Sequence, residues 1–377
     1  MKRKFHYLLL LLMIGLLLSS CSLWHSSGAS TDRFGEKRTN NLKPTPYMSN
    51  SFHTTGGGWN FATPATFGIK EQPLIDFNEK LKQLSVVYSM VLVKNGFIIS
   101  EYYREGYDEK SQFPINSVTK SVTSALFGIA LEEGFVGDIH QPVANWLPLW
   151  RRDKDKMNDQ VTIKHLLEMT TGMDWPEWSK WGFGMEKMVN SRDWTKFVLE
   201  RNIIERPGTT FNYNSGASQL LSVIIKQATG YNLEQYGEQK LFKPLGITHY
   251  DWETNPENTT PGGFGLEMAP RDMAKFGLLY LQKGKWNGQQ LVPKSWVALS
   301  TQKHAEGDSW IGGYGFHWWV RDFDGTKSFF AMGYGGQYIV VVPEEQLVIV
   351  FTSHFEDTPQ PLKLIEQVVA MTKTNSN

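Results

Sequence analysis

An α+β fold, in which one antiparallel sheet built from both ends of the chain encloses an inserted, mainly helical lobe, is predicted by three features of the sequence. Strand-like runs flank Lys94-Asn95-Gly96 near the start, helical periodicities dominate the middle, and strand-like runs return near the end. Strands far apart in sequence complete one sheet when the segment between them packs as its own lobe. The chain divides accordingly into residues 1–20, 21–58 and 59–377.

The first segment has the order of an export signal. Lys2, Arg3 and Lys4 precede the apolar run Tyr7 to Leu18, and the small residues of Leu18-Ser19-Ser20-Cys21 follow. A transmembrane helix needs about 20 apolar residues, more than this run supplies. Residues 1–20 therefore read as a signal peptide and Cys21 as a lipidated first residue, giving an exported bacterial lipoprotein held at a membrane on its extracytoplasmic side. The alternative is an ordinary secretory signal with an incidental cysteine. Cys21 is the only cysteine, which excludes an internal disulfide. Ser, Thr, Asn, Gly and Lys fill positions 22–58 without an apolar period, as in a flexible tether.

The globular part begins near Trp59. Leu74 to Leu84 has helical spacing, and Val86 to Val93 and Phe97 to Tyr103 form a β-hairpin around Asn95-Gly96, a dipeptide suited to a two-residue turn. Pro114 and Asn116 then interrupt regular structure. Val118, Val122, Ala125, Leu126 and Ile129 recur at helical spacing until Gly134. Ser117 thus stands at a helix start, with Lys120 one turn on and on the same face.

Ser117-Val118-Thr119-Lys120 has the makings of a nucleophile and its base. A serine hydroxyl attacks well only when a neighbour takes its proton, and a lysine can do so only as a neutral amine. Lowering a lysine pKa from about 10.4 to about 7 takes roughly 4.6 kcal/mol, which burial can supply. Free N–H groups at the helix start would also stabilise an oxyanion formed beside Ser117. The same spacing fits an N-cap serine beside an exposed lysine. Ser300-Thr301-Gln302-Lys303 repeats it at what reads as a solvated helix end.

Helical patterns follow over Ile163 to Met169, Arg192 to Glu200, Ser218 to Thr229 and Pro270 to Lys283. Tyr314 to Arg321, Phe329 to Met332, Gln337 to Pro343 and Leu347 to Ser353 then read as strands, before a closing helix from Leu362 to Thr372. Two loops are set to complete a site. Pro207 to Gly216 presents Tyr213, and Gly333-Tyr334-Gly335-Gly336-Gln337 lets backbone approach a ligand. With 38 basic and 38 acidic residues the chain has no electrostatic footprint for nucleic acid. Its scattered histidines and single cysteine imply no metal site, and no cofactor is expected.

These motifs, with Val161-Thr162-Ile163-Lys164-His165-Leu166-Leu167, Thr170-Thr171-Gly172-Met173, Lys243-Pro244-Leu245-Gly246-Ile247 and Pro270-Arg271-Asp272-Met273, resemble the serine β-lactamase and penicillin-binding-protein-like hydrolases over most of Trp59 to Thr372. The resemblance implies a β-lactamase/transpeptidase-like fold. It makes Ser117 the acylated nucleophile, Lys120 its base and Tyr213 a second proton-transfer group. The oxyanion would be bound by the N–H groups of Ser117 and Gln337, with Gly336, Tyr334, Ser215 and Trp175 in substrate binding. Trp178 and Trp181 are further candidates for the cleft.

Departures from the family pattern narrow the substrate. The family's Tyr-x-Asn element reads Tyr213-Asn214-Ser215, and its Lys-Thr-Gly strand element reads Tyr334-Gly335-Gly336. Groups that hold a substrate carboxylate are thereby lost. The sequence is more similar to the 6-aminohexanoate-dimer hydrolase and esterase branch, which implies hydrolysis of a small ester or amide. Two other readings are a D-alanyl carboxypeptidase or β-lactamase acting on cell-wall peptide, and a lipid-anchored cell-wall binding protein that has the fold without turnover. Nothing in the sequence indicates an oligomeric state.

Overall fold

In the computed structural model, which describes residues 58–151, 157–177, 183–356 and 360–373, the chain opens with β1 (Asn60–Phe61) and a helix over Glu71–Gln83. A hairpin of β2 (Val87–Lys94) and β3 (Phe97–Tyr103) follows. Asn95 and Gly96 both take positive φ, 52° and 83°, the condition for the tight turn whose twist matches its flanking strands. All described residues belong to one unit spanning residues 51–377. The proposed signal peptide, Cys21 and tether lie outside the described residues, apart from Gly58, as do Trp178 and Trp181.

β4 (Phe113–Pro114) leads into a 3-10 turn over Asn116–Val118 and the helix Thr119–Glu132. The helical lobe includes Ile163–Leu167, Trp194–Leu199 and Ser215–Thr229. β5 (Tyr250–Trp252) and β6 (Leu266–Met268) pair with β4 in a small sheet. The helix Pro270–Leu281 then returns the chain to the main sheet. A short hairpin of β7 (Lys285–Trp286) and β8 (Gln289–Gln290), and a helix over Lys294–Ser300, precede the last strands.

Those strands are β9 (Ala305–Asp308), β10 (Gly312–Tyr314), β11 (Trp319–Phe323), β12 (Thr326–Gly333), β13 (Gln337–Val342) and β14 (Leu347–Ser353), followed by the helix Pro361–Thr372. Among the described residues nine strands form one sheet in the order β1-β3-β2-β14-β13-β12-β11-β10-β9. The join between the two ends of the chain is the antiparallel pairing of β14 with β2, from Leu347 opposite Lys94 onward. Every residue of β13 and β14 is buried, so both faces of the sheet are covered. On one face Gly277 lets the Pro270–Leu281 helix approach closely, since a Cβ there would lie 2.5 Å from Val348 and 2.8 Å from Ile339.

The chain therefore has the expected α+β architecture, with three local differences. β1 pairs parallel with β3, so the sheet is antiparallel except at that edge. The single strand expected over Tyr314 to Arg321 is two strands, β10 and β11, paired antiparallel through Gly313 with Val320 and Tyr314 with Trp319. His317 makes that reversal possible by taking a φ of 61°, an uncommon conformation for a residue other than glycine. Ser300 is a helix end but not a solvated one: it is fully buried and its hydroxyl donates to Val297 O, while Lys303 pairs with exposed Glu306.

Candidate active site

The turn carrying Ser117 is fixed from both sides. Asn116 adopts a φ of 49°, a conformation asparagine tolerates better than most residues, and its amide donates to Tyr334 O at 2.8 Å. The end of β12 presses on the same turn. A Cβ at Gly333 would lie 2.3 Å from Ile115 O, 3.1 Å from Asn116 and 3.2 Å from Gln337, so only glycine lets the strand come this close. Ser117 is half-buried where 3-10 turn gives way to α-helix, and there backbone N–H groups lack intrahelical acceptors.

Lys120 is the centre of the arrangement. Its side chain is buried, with Nζ 3.0 Å from each of Ser117 Oγ, Ser215 Oγ and Gly263 O. Burial lowers its pKa from 10.5 to about 8, although the negative charge of Glu177 opposes the shift. Tyr213 comes from the residue before Asn214, whose side chain caps the Ser215–Thr229 helix by accepting from Ala217 N at 2.9 Å. The Tyr213 phenol is hydrogen-bonded to Ser117, and its ring lies 4.8 Å from Lys120 Nζ. Trp319 stacks on that ring at 5.9 Å, and Tyr314 meets it edge-on. Burial raises the Tyr213 pKa well above the usual phenol value, with Glu177 adding to the rise, so the hydroxyl keeps its proton at neutral pH.

Ser117, Lys120 and Tyr213 are thus brought together, but Ser215 and Trp175 are placed differently from what was expected. Ser215 does not present its hydroxyl to a cleft: Oγ accepts from Lys120 and donates to Glu177 Oε1 at 2.5 Å, which commits it to the interior. Trp175 is almost fully buried, its Nε1 donating to Glu177 Oε2 at 2.6 Å and its ring packed under Gly184 and Gly216. It borders a cavity of about 350 Å³ with Ile204, Phe211 and Asn212, which includes none of Ser117, Lys120 and Tyr213.

On the strand side, Tyr334 is 61% exposed beside the Ser117 turn. Gln337 opens β13 opposite Gly333, and its side-chain amide donates to Ser353 O. A role for Gln337 at Ser117 therefore falls to its backbone N–H. Gly336, with φ of 90°, is needed for a different contact from the one expected. A Cβ there would meet Ser353 Oγ at 2.4 Å and Pro361 at 2.8 Å, so the close approach is to β14 and the last helix.

Two buried groups went unnoticed in the sequence. Glu177 lies in an irregular segment without periodicity, and no pattern in the sequence flags it. His317 is buried with Nδ1 3.0 Å from Leu167 O and Nε2 3.1 Å from Ser218 Oγ. A carbonyl only accepts, so Nδ1 carries the proton and Nε2 accepts from Ser218. Burial, reinforced by the charge of Lys120, lowers the His317 pKa to about 3. Among the described residues no group of three or more His, Cys, Asp and Glu side chains is placed to hold a metal, and no helix is long and apolar enough to cross a membrane.

Fold and site together define a serine hydrolase with a β-lactamase-like fold. The chain belongs to the Beta-lactamase family, whose model matches residues 77–370. It is 23% identical over 320 residues to an uncharacterised protein of Alkalihalophilus pseudofirmus, covering 74% of this chain and 87% of that one. Protein flp of Staphylococcus aureus is 26% identical over 188 residues, 48% of this chain and 37% of its own length. Among solved structures, a Bacillus anthracis protein provisionally described as a 6-aminohexanoate-dimer hydrolase superposes with a TM-score of 0.67 at 22% identity, covering 78% of this chain and 81% of its own. A D-stereospecific amidohydrolase from a Streptomyces species gives 0.61 at 17% identity, covering 78% and 97%.

Proposed function

We propose that this protein hydrolyses small esters or linear amides through an acyl-enzyme on Ser117. The observation that carries the reading is the buried Lys120 amine 3.0 Å from Ser117 Oγ, with the Tyr213 phenol hydrogen-bonded to the same serine. In the neutral state Lys120 takes the Ser117 proton as Oγ attacks the carbonyl carbon. The N–H groups of Ser117 and Gln337 receive the oxyanion. Tyr213, kept protonated by burial, protonates the leaving alcohol or amine; its phenolate then takes a proton from the water that attacks the acyl-enzyme, and Lys120 returns its proton to Ser117 Oγ as the acid departs.

Substrate preference follows from what the strand edge offers. Tyr334, Gly335 and Gly336 provide no cation for a substrate carboxylate of the kind a β-lactam or a D-alanyl terminus carries. A charge-assisted hydrogen bond contributes about 1.5–3 kcal/mol, so its loss lowers reactivity by roughly one or two decades. The amidohydrolase among the structural neighbours supports this substrate class. Comparing kcat/KM for p-nitrophenyl butyrate, a linear amide, nitrocefin and a D-alanyl-D-alanine peptide tests it. Ester or linear amide should be preferred; nitrocefin or peptide turnover far above both would give the protein to cell-wall chemistry instead. We also read Leu18-Ser19-Ser20-Cys21 as a lipid-attachment signal that holds the enzyme at a membrane on its extracytoplasmic side.

A further inference from the structure

Glu177 is a buried carboxylate with no part in the chemistry above. It accepts from Ser215 N at 2.6 Å, from Ser215 Oγ at 2.5 Å and from Trp175 Nε1 at 2.6 Å. Ser215 Oγ in turn lies 3.0 Å from Lys120 Nζ, so the carboxylate and the amine are joined through one hydroxyl. We propose that Glu177 is a positioning residue which, through Ser215, fixes the direction of the Lys120 lone pair and stabilises the ammonium formed when Lys120 takes the Ser117 proton. The inference rests on the reading of Lys120 as the base.

Hydrogen-bond counting supplies the direction. A serine hydroxyl has one proton, and a carboxylate can only accept. With that proton given to Glu177, Ser215 Oγ faces Lys120 as an acceptor, and Gly263 O is an acceptor by nature. A neutral amine has two N–H bonds and one lone pair. Two acceptors take the two N–H bonds, which leaves the lone pair for the proton of Ser117, the third neighbour at 3.0 Å. After transfer the ammonium donates to all three, and the charge it has gained is met by Glu177 across the shared hydroxyl.

A second consequence is electrostatic. The negative charge of Glu177 favours the ammonium and so works against burial at Lys120. Among the described residues, the other titratable groups around Lys120 are Tyr213 and His317, with Tyr314 packed against both. Burial keeps both phenols protonated, and His317 is neutral above about pH 3. Lys120 is therefore the group whose titration sets the acid limb, near pH 8.

The test is the pH dependence of the second-order rate of fluorophosphonate labelling, with the adduct located by peptide mass. Wild-type labelling at Ser117 should rise through a midpoint near pH 8. Glu177→Gln removes the charge in a side chain of the same shape, and its midpoint should fall by about one pH unit or more. Ser215→Ala keeps the charge but loses the bridge. Its midpoint should fall less, while its plateau rate drops about 10- to 100-fold because the amine is no longer aimed. Near-UV circular dichroism checks folding. A folded Glu177→Gln protein with the wild-type midpoint, or a higher one, overturns the inference. If that variant does not fold, Ser215→Ala decides: an unchanged midpoint and plateau overturn it equally. Wild-type protein unlabelled at Ser117 would instead overturn the reading on which this one rests.

Discussion

Lys120 shows how one residue reconciles two opposing demands. Burial leaves its amine neutral often enough to act, while the negative charge of Glu177 limits the shift and keeps it basic enough to take a proton, at a folded pKa of about 8. Because the neutral amine is the active form, kcat/KM should rise as pH increases through about 8. Tyr213 works in the opposite sense: its folded pKa is raised, so its proton is present throughout that range. Tyr213→Phe keeps the ring stacked on Trp319 and edge-on to Tyr314, and removes only the hydroxyl. The variant should melt near wild type while turnover falls by about 10²- to 10⁴-fold, which steady-state kinetics and thermal denaturation together check. Ser117 and Lys120 were legible in the sequence because their partnership is local, three residues apart on a helix. Glu177 was not, because a buried carboxylate is recognisable only from donors the fold brings to it, and Ser215 is distant in the chain.

Elements aim these side chains, and the closest join is between the end of β12 and the turn before the nucleophile. Adding a methyl at Gly333 would push it to 2.3 Å from Ile115 O, a distance backbone movement must relieve. Gly333→Ala is expected to destabilise the protein by about 1–3 kcal/mol, the usual range for overpacking. It should also slow Ser117 labelling by more than the loss of folded protein accounts for, since the turn itself shifts. Chemical denaturation and labelling rates measured on the same preparation separate the two effects. Sequence pattern identified the Asn95-Gly96 hairpin and β13 and β14 because turn chemistry and sustained apolar runs announce them. It missed β9, whose Ala305–Asp308 run has no apolar alternation, and merged β10 with β11 because the turn between them depends on a histidine at positive φ.

For the whole molecule, the antiparallel pairing of β14 with β2 makes the start and end of the globular part interdependent, and the helical lobe is held between them. That architecture could be read from the sequence as strands, helices, then strands, since hydrophobic period changes at each boundary. Location depends on residues outside those described. If Cys21 carries lipid, two acyl chains bind firmly where one binds reversibly, each buried methylene contributing about 0.8 kcal/mol. Cys21→Ser should move the protein from the membrane fraction to the soluble one or stall its processing. Wild-type protein recovered soluble, with an unmodified mature N-terminus elsewhere, would remove the anchor from the account.

The central claim, that chemistry begins with acylation of Ser117 by way of Lys120, is tested most directly by intact-mass and peptide-mass analysis after incubation with a fluorophosphonate. One adduct per chain is expected on the peptide containing Ser117, absent from Ser117→Ala, with turnover of that variant lower by about 10⁴- to 10⁶-fold. An adduct on another residue, or a correctly folded Ser117→Ala protein that labels or turns over as wild type does, would contradict it.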